Sequence, residues 1–222
     1  LWAWGGDLTS PDYKKATFNS PEGIDAMNWY VDLVRTGLAS KSCAEYTQPD
    51  ADAAFINGNV SMAFMGPWNI AGIEHDNPTL NFGVVEPPLG PKARAAFSGG
   101  SNLAILAGTK AEEDAKAWIK FLLRKDNLVS YTADLTYMLP SAVEAFDDPA
   151  FATDKYKPFK AALEYATAYP PLGVWGTIEN DITVAFKAIF TDYVTGQLGE
   201  DGVKKHLDDA AQKVDAALAQ EK

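Results

Sequence analysis

The residues able to act as metal ligands or nucleophile partners are few. The 222-residue chain holds two histidines, His75 and His206, and one cysteine, Cys43. Neither histidine has a second histidine or a cysteine at ligand spacing, so no metal site and no nucleophile–base pair is expected. A single cysteine makes no internal disulfide. Carboxylates are plentiful, and Asp147 with Asp148, or Glu179 with Asp181, are the pairs that invite an acid–base reading. A glycoside hydrolase needs two such groups flanking one bond at roughly 5–9 Å, and immediate sequence neighbours on a helix do not face each other. No P-loop and no GxGxxG is present, and Gly99-Gly100 alone is explained equally well by a tight turn. The expectation is therefore no catalytic residue, no metal and no cofactor, with a glycoside-processing enzyme as the alternative.

What stands out instead is the placing of the aromatic residues. Trp2, Trp4, Trp68 and Trp175 lie in stretches punctuated by glycine or proline, whereas Trp29 and Trp118 fall within helical patterns and are expected in the core. Flat rings at loop tips suit a sugar-binding cleft, because the C–H face of a pyranose stacks on an aromatic face while its hydroxyls bond to polar neighbours. The stretch "NGNVSMAFMGPW", Asn57 to Trp68, is the most pointed case. Val60 to Met65 reads as a short buried strand bounded by Asn-Gly and Gly-Pro, and Pro67 suits the first position of a helix. Trp68 then sits on a strand-to-helix elbow, where its ring can cap the core or face a ligand.

The elements that must hold these residues follow from periodicity and punctuation. Ser20-Pro21, with Ile24, Met27, Val31 and Val34 before Gly37, predicts a capped helix. A second helix is expected over 50–56 and another after Trp68. Strands are predicted over 81–85 and 103–106, with Thr109 capping a helix that carries Ala115, Trp118, Ile119 and Leu122. A short helix over 126–134 ends before Pro140, and from Ser141 the chain reads as helical except for the loop Tyr169–Gly176. The last two helices carry the stripes Ile178, Ile182, Ala185, Ile189, Tyr193 and Val203, Leu207, Ala210, Val214, Ala217. Strands separated by helices, with an α-helical finish, make the class α/β.

Bulk properties exclude some partners. A formal net charge of −11 and a pI near 4.6 argue against nucleic acid and anionic membrane surfaces. No apolar run is long enough to span a bilayer, and "LWAWGGDL" lacks the pattern of a signal peptide. Its apolar, uncapped opening is what the later part of a longer protein would show.

The succession "WGGDL", "FNSPEGIDAMNWYVDLVRTGL", "AAFINGNVSMAFMGPW", "NFGVVEPPLG", "SGGSNLAI", "AEEDAKAWIKFLLRKDN", "YMLPS" resembles the later part of extracellular solute-binding proteins of sugar ABC transporters, the maltose-binding-protein-like family. The resemblance implies a periplasmic-binding-protein-like type II fold, two lobes with ligand held in the cleft between them and closure by hinge motion. It implies that residues 1–98 and 141–222 form most of the C-terminal lobe, that 99–140 is a strand–helix segment of the N-terminal lobe, and that the rest of that lobe precedes Leu1. It also implies ligand contacts from Trp68, Trp175, Gly99, Gly100, Ser101, Asn102, Tyr137 and Glu179. Ile70 stands where maltose-binding protein has a second tryptophan, so a mono- or oligosaccharide is implied without a maltodextrin being specified. The remaining implications are a monomer, the membrane subunits of an ABC transporter as partners, and a place in the periplasm or anchored by lipid at the outer face of the cytoplasmic membrane.

Overall fold

Helix signals set the order of elements along the chain. The computed structural model, which describes residues 1–221, contains α1 (Pro21–Arg35), α2 (Gln48–Ile56), α3 (Asn69–Asp76), β1 (Ala96–Phe97), α4 (Glu112–Leu122), α5 (Lys125–Val129), α6 (Lys157–Ala162), β2 (Ala166–Thr167), α7 (Trp175–Thr195) and α8 (Gly202–Leu218). β1 and β2 pair as a two-stranded sheet. The chain divides into two compact units: Leu1–Thr47, Pro88–Phe97 and Thr167 onward form the first, and Gln48–Pro87 with Ser98–Ala166 the second.

The first unit is built on three amphipathic helices. α1 starts at Ser20, whose hydroxyl accepts from Gly23 N at 3.3 Å, with Pro21 in its first turn. Of its predicted stripe Met27, Val31 and Val34 are buried and Ile24 is half-buried against the same core, and Gly37 beyond its end has φ 77°. α7 ends at Gly196, in the left-handed conformation at φ 75°, whose N–H returns to the Asp192 and Tyr193 carbonyls. α8 follows after a short turn. Ile178, Ile182, Ala185 and Ile189 of α7 pack with Val203, Leu207, Ala210, Val214 and Ala217 of α8, and with Met27, Val31 and Phe18. Polar groups of α8 fasten the N-terminal segment to this core: Asp215 Oδ1 accepts from Ala16 N at 2.7 Å, and Asn19 Nδ2 donates to Asp208 Oδ1 at 2.8 Å.

The second unit has shorter helices and a smaller core, centred on Ala133, Phe151 and Tyr156. α5 runs into a wider π-helical turn, Ser130–Leu135, in which Thr132 Oγ1 donates to Leu128 O at 2.6 Å. Asn77 Nδ2 donates to Ile56 O at 2.8 Å and ties the end of α3 to the end of α2.

Several expectations are corrected. Segments 60–65, 81–85 and 103–106 are not strands; among the described residues β1 and β2 are the only ones. Alternation specifies a surface able to pair, not a partner, and here Met62 is 88% exposed, with Phe64, Val85, Leu103 and Leu106 also exposed. Trp29 and Trp118 are exposed rather than core. Trp29 lies two residues from Met27, about 200° round the helix, and instead makes a tilted contact with Trp4, the ring centroids 5.3 Å apart. Trp118 lies on a helix with no buried residue and stacks on Phe121, one turn on, at 5.5 Å. Thr109 does not cap α4: its hydroxyl accepts from Ala111 N at 3.3 Å, just ahead of the helix. From Ser141 to Ala166 the chain makes 3-10 turns and the brief α6 rather than long helices, since Pro149 and Pro158 each sit in the first turn of a short helix and bar any helix from running through from before it.

The packing of α8 sets the first expected outcome. Leu207 is almost fully buried, so Leu207→Ala should lower unfolding stability by about 2–5 kcal/mol in urea titrations. Lys205→Ala, which removes only an exposed 3.3 Å pair with Asp209, should change it by less than about 1 kcal/mol.

Candidate functional site

The elbow at Trp68 is a tight, internally bonded turn in the second unit. Asn69 N donates to Gly66 O at 3.1 Å, Ile70 N to Pro67 O at 3.1 Å, and Gly66 N donates back to Asn69 Oδ1 at 3.2 Å. Asn69 and Ile70 are buried and anchor the turn. α3 begins at Asn69, so Pro67 lies two residues ahead of the helix rather than at its first position. The Trp68 indole folds back over Gly66. A Cβ on Gly66 would come within 2.2 Å of the ring, which is why glycine stands there. The ring stays 48% exposed. A rigid, half-exposed aromatic face is thus displayed by backbone geometry alone.

The next turn of α3 opens on an uneven cavity of about 670 Å³ lined by Ile70, Glu74, Asp134, Tyr137, Lys155 and Tyr156 among others. Glu74 and Lys155 form an ion pair, and the Lys155 ammonium stands 4.3 Å from the Phe82 ring centroid. Tyr137 OH donates to Glu74 Oε2 at a long 3.5 Å. Tyr137 itself has φ 55°, a left-handed backbone that a bulky residue seldom adopts. Tyr156 is buried and donates to Ala133 O at 3.4 Å. Desolvation first, then the charges of Tyr137, Asp134 and Glu74, push its phenol up to about 12.

In the first unit an aromatic pile forms around Trp175. Trp175, the first residue of α7 rather than part of the loop, packs against the core. The Tyr169 ring lies 4.9 Å from it, and Phe97 lies 4.5 Å from Tyr169. Burial, and then the charge and hydrogen bonding of the Glu179 carboxylate, raise the Tyr169 pKa. Glu221 accepts from Gly173 N and Val174 N, both at 3.0 Å, and so holds the chain just ahead of α7. Trp175 and Glu179 are one helical turn apart and share a side of α7.

The proposed contacts therefore fall into two groups. Trp68, Tyr137 and Gly99 to Asn102 belong to the second unit, and Trp175 and Glu179 to the first. Residues 99–102 are exposed and in no regular element, with open space around Gly100. Tyr137 lines the cavity beside α3, and Trp68 does not. Phe97 and Tyr169 were not among the residues picked out from the sequence; Phe97 beside Gly99-Gly100 and Tyr169 beside Pro170-Pro171 are the available signals. The carboxylate pairs do not assemble into acid–base pairs: Asp148 accepts from Ala150 N at 3.1 Å and caps a 3-10 turn, while Glu179 and Asp181 diverge by about 200° on α7. His75 pairs with Asp76 at 2.8 Å, and His206 with Asp192 at 2.9 Å. Among the described residues no group of three or more His, Cys, Asp or Glu side chains is placed to hold a metal ion.

Comparison with known proteins decides the family. Residues 1–158 match the model of bacterial extracellular solute-binding proteins. The chain belongs to that family. It is 26% identical over 207 residues to the diacetylchitobiose binding protein DasA of Streptomyces coelicolor, covering 90% of this chain and 48% of DasA. The fold matches an ABC transporter solute-binding protein of Thermotoga lettingae bound with α-D-tagatose, at TM-score 0.84 and 26% identity, over 98% of this chain and 54% of the other. It also matches the cyclic α-maltosyl-1,6-maltose binding protein of Arthrobacter globiformis, at TM-score 0.73 and 27% identity, over 98% and 53%. The chain thus has the periplasmic-binding-protein-like fold and spans about half the length of these solute-binding relatives.

Burial of Tyr156 in this solute-binding chain has a pH consequence. Its pKa is raised from 10.0 to about 12, so the folded state holds its proton where the unfolded state has lost it. The stability this contributes is complete below pH 10 and is lost as pH rises towards about 12. Wild type should therefore lose stability relative to Tyr156→Phe across that window, and the variant should lack one late-ionising phenol that wild type shows in an ultraviolet titration.

Proposed function

We propose that the chain is the ligand-recognition part of a carbohydrate-binding subunit of an ABC import system, with no chemistry of its own. The ligand is a mono- or oligosaccharide held in an interlobe cleft of the whole protein by aromatic stacking and hydrogen bonds. The observation that carries this reading, within a solute-binding family whose relatives bind diacetylchitobiose, tagatose and a cyclic maltosyl sugar, is the Trp68 indole. It is fixed over Gly66 and half exposed. A pyranose face stacked on such a ring gains apolar contact with little loss of side-chain freedom.

Polar groups able to bond hydroxyls lie in the same unit, namely Ser101, Asn102, Tyr137 and the backbone of Gly99 and Gly100. The glycosidase alternative is disfavoured because Asp148 is spent as a cap and Glu179 and Asp181 diverge. We place the protein outside the cytoplasmic membrane, as a monomer that docks on the membrane subunits of its transporter. No described helix is long and apolar enough to cross a membrane.

Titrating a panel of mono- and oligosaccharides into the full-length protein, followed by tryptophan fluorescence and calorimetry, tests this. Binding should be seen for at least one sugar, and Trp68→Ala should weaken it by about 1–3 kcal/mol, the scale of a lost stacking contact. Unchanged affinity in Trp68→Ala removes that ring from the site. Turnover of an aryl glycoside would restore the enzyme.

A further inference from the structure

The three-ring pile in the first unit has an inside and an outside. Trp175 is the inner member: it packs against the α7–α8 core, and its indole Nε1 is buried without a hydrogen-bond partner. Tyr169 is the middle ring, 43% exposed, and Phe97 the outer one, 50% exposed and touching Tyr169 alone among the aromatic pairs. An indole N–H that a ligand could use would point outward, and this one does not. The ring facing solvent is supplied by a residue at which the chain leaves the first unit, since Phe97 is the last residue of its segment.

We propose that Phe97 and Tyr169, and not Trp175, form a second sugar-stacking subsite, with Trp175 as its backing and Glu179 as its hydroxyl-directed polar edge. This rests on the carbohydrate reading above. The outer face of Phe97 takes the C–H face of a hexopyranose unit. The Glu179 carboxylate stands near enough to the Tyr169 phenol to help raise its pKa, so a phenol and a carboxylate are both at hand for the hydroxyls of one sugar. A neutral, hydroxyl-rich ligand with one apolar face satisfies all of these groups at once. A flat aromatic or anionic ligand would leave the carboxylate unmatched or repelled. Trp175 matters through Tyr169, holding the middle ring from beneath, and is a positioning residue.

The test is calorimetric titration of the full-length protein with the sugar that binds wild type best, alongside Phe97→Ala, Phe97→Tyr, Tyr169→Phe and Glu179→Gln. Thermal melts check that each variant is folded. Phe97→Ala should lose tenfold or more in affinity, Phe97→Tyr should stay within about threefold of wild type, and Tyr169→Phe and Glu179→Gln should each lose severalfold, chiefly in binding enthalpy. A folded Phe97→Ala that binds as tightly as wild type overturns the subsite while leaving the carbohydrate reading intact. If wild type binds no sugar in the panel but Trp68→Ala and Phe97→Ala are folded, both readings fall together.

Discussion

The buried stripe of α7 is the constraint on which the first unit depends. Ile178, Ile182, Ala185 and Ile189 must all face α8 and α1, and that requirement fixes how the helix is turned about its own axis. Every other residue on α7 inherits its direction from this one choice. Trp175, three residues before Ile178, comes out about 60° from the stripe and is drawn against the core, whereas Glu179, one residue after, is carried about 100° away and stays exposed. The hairpin is closed at both ends: Gly196 turns the chain at one, and Glu221 accepts the N–H groups ahead of α7 at the other. A carboxylate at that position also suits the positive end of the helix dipole. The segment carrying Tyr169 and Trp175 is therefore tied to the most strongly packed part of the unit.

The second unit obeys a different logic. Its buried cluster is small, α4 buries none of its residues, and large apolar side chains such as Phe64, Leu103 and Trp118 remain exposed. Rigidity there is local. At the elbow it comes from three hydrogen bonds between near neighbours in the chain and from an indole that leaves no room for a Cβ on Gly66. Beside α3 it comes from the Glu74–Lys155 ion pair and the aromatic contact that Lys155 makes with Phe82. Such devices hold individual side chains in place without needing a large core, and side chains held in this way lose little freedom when a ligand arrives.

What the sequence made legible follows from the range over which each signal acts. The stripes of α1, α7 and α8 are local patterns with a period of 3.6, and every residue assigned to the α8 stripe is buried. Glycine and proline likewise marked the Trp68 elbow, because the turn is made by residues adjacent in the chain. The strands over 60–65, 81–85 and 103–106 were misread because a strand exists only with a partner, and alternation does not say whether one is supplied. Trp29 and Trp118 depart from expectation for a related reason: a helical context does not by itself mean burial, and each sits off a buried stripe or on a helix that has none. The pile of Phe97, Tyr169 and Trp175 joins residues far apart in sequence, and no local pattern can announce a contact of that kind.

Exposure, rather than residue type, decides which aromatic side chains can serve a sugar. As sequence, Trp68 and Trp175 share a residue type and a setting punctuated by glycine or proline. Their surroundings separate them. The Trp68 indole is backed by glycine, which covers one side of the ring and leaves the rest open. Trp175 is backed by the core and covered by Tyr169, and its polar atom is sealed off. Trp175 thus lends its ring to the core side, while the Tyr169 phenol and the Phe97 ring stay exposed. An amphipathic ligand needs both kinds of contact together. The pile of Phe97, Tyr169 and Trp175 lies in the first unit, and the half-exposed Trp68 ring, with no second aromatic ring paired to it among the described residues, in the second.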